Sequence, residues 1–538
     1  MVLTVKLKKT LPPLSARERQ EECLSTAPGR RWRGGRTATG AIAVVALLIS
    51  TAAWLSLVFS GSTSTHRRRL MHRHQQLPAN PSSEASYHPP VPPHPQLHSM
   101  TAGRNRSLGD LNLSQKDLTL GHIVFGIAGS SNLWNRRKEF VRLWWRPSLR
   151  GYVWLDDLPP QGAGSGFSDS LPPIMISEDT SRFRYTNPTG HPSGLRISRI
   201  VAECYRLGLP NVRWFVLGDD DTIFNVDNLI SVLGKYDSSE MMYIGSPSES
   251  HSANTYFSHS MAFGGGGIAI SYPLARSLSN ILDDCLERYP KLYGSDDRLH
   301  ACISELGVPL TRELGFHQWD IRGSAHGLLT SHPVTPFISI HHLEAVDPFF
   351  PGLNSMEGLK LFTKAMKINP RSFLQRAICY DHSRRLTFSI STGYAVQVFP
   401  NIVYPLDLEP SELTYSAWNG IHHRNEFDLD MKDPVKSICK KPVLFFLKDI
   451  RRDGKATLGY YARHKESNDM RRTVFCFPRS PPLRHVQNIE VLGYPLSKNW
   501  HLVPRRLCCS LKQTQSDILK IIVRQCEKGS FTSLVANL

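Results

Sequence analysis

Residues 212–222 read VRWFVLGDDDT and place a carboxylate cluster directly after an apolar run. The run at 212–217 predicts a buried strand that ends just before Asp219, Asp220 and Asp221. Upstream segments alternate between short apolar runs and apolar residues at helical spacing, which indicates an α/β domain with a largely parallel sheet. Because ligands of such sheets bind at the carboxyl ends of strands, the sequence predicts a functional site at this strand end.

The segments before this strand supply the alternation. Strands are predicted at residues 122–127 and 151–155, and helices at residues 134–145 and 194–207. The first helix carries its apolar side chains as a stripe along one face, as expected for a helix packed on a sheet. These elements precede the carboxylate cluster in a strand–helix–strand–helix–strand order.

Three successive carboxylates at a buried strand end repel one another unless a cation or hydrogen-bond donors lie beside them. Oxygen ligands of this kind suit Mn²⁺ or Mg²⁺, which also bind substrate phosphates. The alternative for a bare Asp-Asp-Asp run is a solvated acidic turn or a helix cap. Its position after a buried strand favours the metal site.

Three later segments carry further candidates. Residues 262–271, AFGGGGIAIS, have four glycines before a strand-like run, which allows either close approach of a ligand or tight packing. Asp296 and Asp297 open a predicted helix, where acidic residues act as caps or, alternatively, as a general base. A strand-like run ends in His341 and His342, and a neutral imidazole can complete a metal site.

The N-terminal region predicts a membrane anchor. Residues 40–59 read GAIAVVALLISTAAWLSLVF, which is long enough to span a bilayer. Nine Lys and Arg precede this run and four follow it before residue 74, so the positive-inside rule places later residues in the lumen. A cleaved signal peptide and a buried core helix are the alternatives. We expect a cytosolic tail at 1–39, a signal-anchor at 40–60 and a stem rich in Pro, Ser and His at 61–119.

The net charge of +18 suggests a nucleic-acid partner, but the distribution of the charge along the chain argues against such a partner. Residues 1–73 contain 13 Lys and Arg against 3 Asp and Glu, a net charge of +10 that flanks the predicted anchor. The remaining 465 residues carry only +8. We therefore expect no nucleic-acid partner.

Cysteines and sequons fit a lumenal location. Nine of the ten cysteines follow the predicted anchor, where disulfides are permitted, although nine cannot all pair within one chain. Glycosylation sequons begin at Asn105 and Asn112, in the stem. Residues 366–538 alternate short apolar runs with Pro and basic turns, which predicts a β-rich region. This region either shapes an acceptor site or holds a partner.

Several strings resemble Fringe-type β-1,3-glycosyltransferases, in the order that the family has them. They are WFVLGDDDTIF at 214–224, FGGGGIAIS at 263–271 and HHLE at 341–344, the last being similar to the family's SHLE. The segments at 127–147 and 150–157 resemble the plant Fringe-related subgroup, long described only as a domain of unknown function. The resemblance covers residues 120 to 350, and extends through 370–538 for that subgroup.

The resemblance implies a GT-A fold over residues 120–365, a UDP-sugar donor, Mn²⁺ or Mg²⁺, and inversion at the anomeric carbon. It implies that Asp221 and His342 bind the metal and that Asp219 and Asp220 face the donor. Of the acidic pair at 296–297, it favours Asp297 over Asp296 as the catalytic base.

The same resemblance implies a nucleotide-binding role for Arg137, within a segment similar to the family's RR-x₆-TW. The arginine spacing departs from that pattern by one residue, and Leu143 stands in the place of Thr. The leading hypothesis is a Golgi type II membrane enzyme that transfers a sugar to a hydroxyl of a glycan or glycoprotein. The alternative is an inactive Golgi binding or scaffold protein that retains the fold.

Overall fold

A computed structural model describes residues 118–160, 170–465, 476, 483–512 and 517–530, all within one compact unit. The predicted anchor at 40–60 and all but the last two residues of the predicted stem lie outside the described residues. Within the described ranges, no helix is both long and apolar enough to cross a bilayer.

The first part of the described chain alternates strands and helices. Its strands are β1 (Ile123–Ala128), β2 (Arg150–Leu155), β3 (Ile174–Ile176), β4 (Trp214–Asp219), β5 (Ile223–Phe224), β6 (Tyr243–Gly245), β7 (Ile268–Ser271), β8 (Leu310–Arg312), β9 (Ile321–Gly323) and β10 (Ser339–Ile340). Its helices are α1 (Ser131–Trp144), α2 (Ser193–Arg206), α3 (Val226–Leu233), α4 (His251–Tyr256), α5 (Tyr272–Arg288), α6 (Ser295–Glu305), α7 (His326–Thr330) and α8 (Ser355–Ile368).

Seven of these strands form one sheet in the order β3-β2-β1-β4-β7-β6-β8. The pairs β3–β2, β2–β1, β1–β4 and β6–β8 are parallel, whereas β7 runs antiparallel to both of its neighbours. The predictions of an α/β class and a largely parallel sheet are confirmed. The predicted strands correspond to β1, β2 and β4, and the two predicted helices to α1 and α2.

Successive side chains of β1 point to opposite faces of this sheet, and each face is covered by a hydrophobic core. Phe125 and the residues two positions before and after it pack with Trp144 of α1, on one face. Val124 and Ala128 point to the opposite face, which α2, α5 and α6 cover. Burial on both faces explains why β1 and β4 consist of nearly continuous apolar residues.

The second part of the described chain is a β module, as predicted. Its elements are β11 (Arg376–Asp381), β12 (Leu386–Ser391), β13 (Ala395–Phe399), α9 (Pro405–Leu408), β14 (Ser411–Glu412), β15 (Tyr415–Ala417), β16 (Met431–Lys432), β17 (Val443–Asp453), β18 (Ala456–Arg463), β19 (Asn488–Gly493), β20 (Cys508–Lys512) and β21 (Ile518–Arg524). Eight strands form a sheet in the order β11-β12-β13-β17-β18-β19-β21-β20. The end strands meet at a bridge between Ala377 and Leu507, so the sheet curls back on itself.

Four disulfides cross-link the described residues, and one of them joins the two end strands of the β module. They are Cys285–Cys302, Cys379–Cys509, Cys439–Cys476 and Cys508–Cys526. Cys204 remains a buried free thiol, which accounts for the odd number of cysteines after the predicted anchor.

The two parts of the described chain share one hydrophobic core. Side chains of β1 and α1 belong to the same buried cluster as those of β12, β17 and β21. The strand β15 of the β module also pairs with β9 of the α/β part, with Ser416 opposite Arg322. This continuity brings residues of the β module close to the carboxylate cluster.

Candidate active site

The carboxylate turn lies at the carboxyl end of β4, beside the end of β1. Ala128 is the register partner of Asp219, and the Asp220 N–H donates to the Ala128 carbonyl at 2.9 Å. The Thr222 hydroxyl accepts from the Asp219 N–H at 2.8 Å and donates to the Gly265 carbonyl at 2.7 Å. These bonds hold three aspartates, none more than 1% exposed, in one fixed turn.

A short strand pairing brings a histidine to this turn. The strand β5 follows the turn and pairs antiparallel with β10, with Ile223 opposite Ile340. The next residue, His341, therefore lies beside the aspartates. Its Nε2 is 3.1 Å from Asp221 Oδ1 and 3.3 Å from Asp219 Oδ2.

Asp219, Asp221 and His341 have the composition and the spacing of a metal site. Each offers one ligand atom, these atoms all lie within 4.8 Å of one another, and all three residues are buried. Burial by itself would lower the pKa of His341, but Asp221 and Asp219 outweigh it and raise the pKa to about 10. Two carboxylate oxygens and one imidazole nitrogen fit Mn²⁺, which would replace the proton that the imidazole holds there.

His342, the histidine assigned to the metal from the resemblance, has a different partner. Its Nδ1 is 3.1 Å from Asp320 Oδ1, and its ring stacks on Trp418 with centroids 4.5 Å apart. The geometry favours His341 over His342 as the metal-binding histidine. The two rings are adjacent, with centroids 3.9 Å apart, but the Nε2 of His341 lies beside Asp219 and Asp221, whereas the Nδ1 of His342 lies beside Asp320. His342 itself turns into a left-handed backbone conformation, with φ of 57°.

The four-glycine segment serves packing against this site. A Cβ at Gly265 would lie 2.2 Å from Cε1 and 2.3 Å from Nδ1 of His341. Gly267 has φ of +102°, and a Cβ there would meet Phe224 and Phe316. Of the two alternatives for this segment, the structure therefore shows tight packing, and at Gly265 the packed group is the imidazole of His341.

Arg137 forms ion pairs with two carboxylates of the turn. Its Nη1 donates to Asp220 Oδ1 at 3.0 Å, and its Nη2 lies 3.1 Å from Asp221 Oδ2 and 3.0 Å from Glu344 Oε2. Burial would lower the pKa of Arg137, but Asp221, Asp220 and Glu344 outweigh it and raise the pKa. Arg137 thus compensates part of the negative charge of the turn. The nucleotide-binding role that the resemblance implies for Arg137 stays a prediction.

The acidic pair at the start of α6 divides into two roles. Asp297 accepts the N–H groups of Tyr293 at 2.6 Å and Gly294 at 2.9 Å, as a helix cap does. Asp296 is buried and accepts the Ser295 hydroxyl at 3.2 Å. Burial raises its pKa to about 7 with a contribution from the charge of Asp219, although the Gly264 N–H opposes the shift. The geometry favours Asp296 over Asp297 as the base, because two backbone N–H groups hold Asp297 as a helix cap, whereas Asp296 is close enough to Asp219 to interact with its charge. The choice between the two stays a prediction.

Three residues at this site were given no role from the sequence: Glu344, Asp320 and Trp418. His341 was named there only together with His342. The two histidines are adjacent, and the sequence has no feature that separates them. Asp320 accepts the Ser248 hydroxyl at 2.6 Å, and this pair is 72 residues apart. Trp418 comes from the β module, so only the tertiary fold brings it to His342.

Two family models match stretches of the chain that contain residues of this site. A family model described as Fringe-like matches residues 176–324, which contain the carboxylate turn, the four glycines and Asp296. Over these residues the chain is similar to the Fringe-like family. A second model, described as a protein of unknown function, DUF604, matches residues 253–509 and thus includes His341 and most of the β module. The resemblance drawn from the sequence is confirmed.

Individual relatives are similar over shorter stretches. Two proteins named beta-1,3-glucosyltransferase, from Mus musculus and Homo sapiens, are 34% identical over 107 residues and 33% identical over 105 residues. Each alignment covers 20% of this chain, and the chain spans about a fifth of either relative's length. A solved glycosyltransferase involved in glycosylation of the major capsid of PBCV-1 matches with 13% identity, covering 41% of this chain and 94% of its own, with a TM-score of 0.24.

Proposed function

We propose that this Fringe-like protein is a metal-dependent inverting glycosyltransferase. It takes a UDP-sugar as donor and transfers the sugar to a hydroxyl of a glycan or glycoprotein. The observation that carries the proposal is the convergence of Asp219, Asp221 and His341 with Asp296 at the carboxyl end of β4. A metal-binding cluster and a separate carboxylate are the two parts that a single displacement at a sugar carbon needs.

Asp296 is the proposed general base. Its carboxylate takes the proton of the acceptor hydroxyl while the acceptor oxygen forms a bond to the anomeric carbon. The bond from that carbon to the diphosphate breaks in the same step, UDP leaves, and the configuration inverts. Burial suits this role, because it raises the pKa of Asp296 to about 7 and so favours proton uptake near neutral pH.

Asp219, Asp221 and His341 are the proposed ligands of Mn²⁺ or Mg²⁺. The cation would stabilise the negative charge on the departing diphosphate, as metal ions do in phosphate chemistry. Gly265 and the Thr222 hydroxyl maintain the positions of these ligands, and Arg137 compensates the charge of Asp220.

Glucose and a β-1,3 linkage are the first choices for donor and product. Both come from the names of the two mammalian relatives, which align with only about a fifth of this chain. Because the relatives' names specify a glucosyl group, UDP-glucose heads a panel that includes other UDP-hexoses.

The proposed location is the Golgi membrane, with a single type II anchor and a lumenal catalytic part. The four disulfides support an oxidising compartment. The anchor itself is proposed from the apolar run at 40–59 and the charges around it.

The test is a donor panel assayed on the purified full chain with Mn²⁺, with UDP release and labelled product as readouts. We expect turnover with at least one UDP-hexose and its loss in Asp296→Asn. Asp284→Asn, an exposed carboxylate change in α5, is the matched control and retains full activity. A folded chain that binds Mn²⁺ but turns over no donor would instead support the alternative of an inactive binding or scaffold protein.

A further inference from the structure

A second cluster of potential metal ligands lies outside the proposed active site. His251 begins α4, His259 follows that helix, and Asp428 comes from the β module. The Nδ1 of His251 is 2.6 Å from Asp428 Oδ1, and the Nε2 of His259 is 3.2 Å from Asp428 Oδ2. One nitrogen from each ring and one carboxylate oxygen all lie within 4.8 Å of one another.

The Asp428 carboxylate of this cluster is held in place by a buried asparagine. Asn254, only 1% exposed, donates from Nδ2 to Asp428 Oδ2 at 2.7 Å and to the Ser248 carbonyl at 2.8 Å. Its Oδ1 accepts the Ser248 N–H at 3.0 Å. Such a buried partner fixes the orientation of a metal-binding carboxylate, as outer hydrogen bonds do in established metal sites.

The backbone around Asp428 is also fixed. The Asp428 N–H donates to the Glu249 carbonyl at 3.0 Å, and Phe427 forms a bridge with Ser250. On the histidine side, the Nε2 of His251 is 3.4 Å from the Thr255 hydroxyl, so its second ring nitrogen has an outer partner. The histidine side chains are about half exposed, which leaves a path for an ion and a water ligand.

We propose that His251, His259 and Asp428 bind one Zn²⁺, with solvent as the fourth ligand. Two imidazole nitrogens and one carboxylate oxygen are ligands that zinc accepts in tetrahedral sites. The proposal is independent of sugar transfer, because its ligands differ from Asp219, Asp221 and His341.

The proposed ion joins the α/β part to the β module beside the acidic pair of α6. Tyr256 ends α4, and both it and Phe257 pack on Tyr293, at centroid distances of 6.2 and 5.6 Å. Tyr293 in turn donates its N–H to Asp297. Zinc is therefore expected to stabilise this corner of the fold and to raise the melting temperature.

Plain ion pairs between two imidazolium rings and one carboxylate are the competing explanation. They need protons on both rings and no metal, so a zinc titration separates the two. The titration is made on the full chain carrying Asp221→Asn, which weakens the first cluster. We expect one Zn²⁺ per chain, with a higher melting temperature in its presence.

Adding His259→Gln to this background is expected to reduce zinc affinity at least tenfold, whereas adding His191→Gln leaves it unchanged. His191 is an exposed histidine that is not part of the cluster, and its Nδ1 contacts the Ser193 hydroxyl. Because His259 is exposed, its variant should fold, and thermal unfolding without zinc verifies this. Equal zinc affinity in the two variants, or no zinc binding in the background chain, would overturn the proposal.

Discussion

Gly265 lies directly against the imidazole of His341, so that a Cβ at this glycine would fall 2.2 to 2.7 Å from three ring atoms. This contact explains why a glycine segment accompanies the carboxylate turn in the sequence. The glycine backbone accepts the Thr222 hydroxyl from the same turn, so one residue positions both sides of the cluster.

Gly265→Ala should therefore damage the proposed metal site. The new methyl group forces the imidazole away from Asp221, and overpacking of this kind costs about 1–3 kcal/mol of stability. We expect at least a tenfold loss of Mn²⁺ affinity, measured by calorimetric titration. Gly358→Ala is the control, because a Cβ there has only ordinary contacts at 3.7 Å or beyond, and it should leave the affinity unchanged.

Substitution of Asp296 should lower the rate of turnover, whereas substitution of Asp297 should lower the stability of the fold. Asp296→Asn is expected to reduce UDP release by roughly 10²–10⁴-fold, the usual contribution of a general base, without lowering the melting temperature. Asp297→Asn is expected to lower the free energy of unfolding by about 0.5–2 kcal/mol, because it weakens a helix cap. The comparison uses initial rates and thermal unfolding of both variants. The reverse pattern would return the base role to Asp297.

Glu203 predicts a specific pH dependence of stability. It is 4% exposed in α2, and burial raises its pKa to about 7 from an ordinary value of 4.5, although Arg199 opposes the shift. The folded chain then holds a proton that the unfolded chain loses between about pH 4.5 and 7, so stability from this group falls as pH rises through that window.

Glu203→Gln should remove this loss. We expect the variant to exceed wild type in free energy of unfolding by up to about 3 kcal/mol at pH 8, and to differ little at pH 4.5. Urea unfolding at the two pH values measures the difference. Glu287→Gln, an exposed change in α5, should show no such pH dependence. A constant difference at both pH values would mean that Glu203 is ionised throughout.

Local patterns of the sequence were sufficient for the framework of the site. The apolar run before Asp219 predicted β4, and the same alternation predicted α1 and α2, because burial on a sheet imposes these periods. Local patterns could not show which of two adjacent residues of the same type has a given role. His341 and His342 differ in which carboxylate their ring nitrogens reach, and Asp296 and Asp297 in which one caps α6.

Long-range contacts account for the rest. Trp418 stacks on His342, and Glu344 pairs with Arg137 across 207 positions of sequence. Neither contact has a local signature, since each depends on how the β module and α1 pack around the sheet. Disulfide connectivity also depends on the tertiary fold, because the adjacent Cys508 and Cys509 pair with cysteines 18 and 130 positions away.

The central claim is that Asp219, Asp221 and His341 bind the catalytic cation. The most direct test compares His341→Ala with His342→Ala in the Mn²⁺ dependence of UDP release from UDP-glucose. If Asp219, Asp221 and His341 bind the cation, His341→Ala should lose activity at all but the highest Mn²⁺ concentrations. His342→Ala should retain a Mn²⁺ requirement within a few-fold of wild type. Loss of the Mn²⁺ response in His342→Ala with wild-type behaviour of His341→Ala would contradict the account.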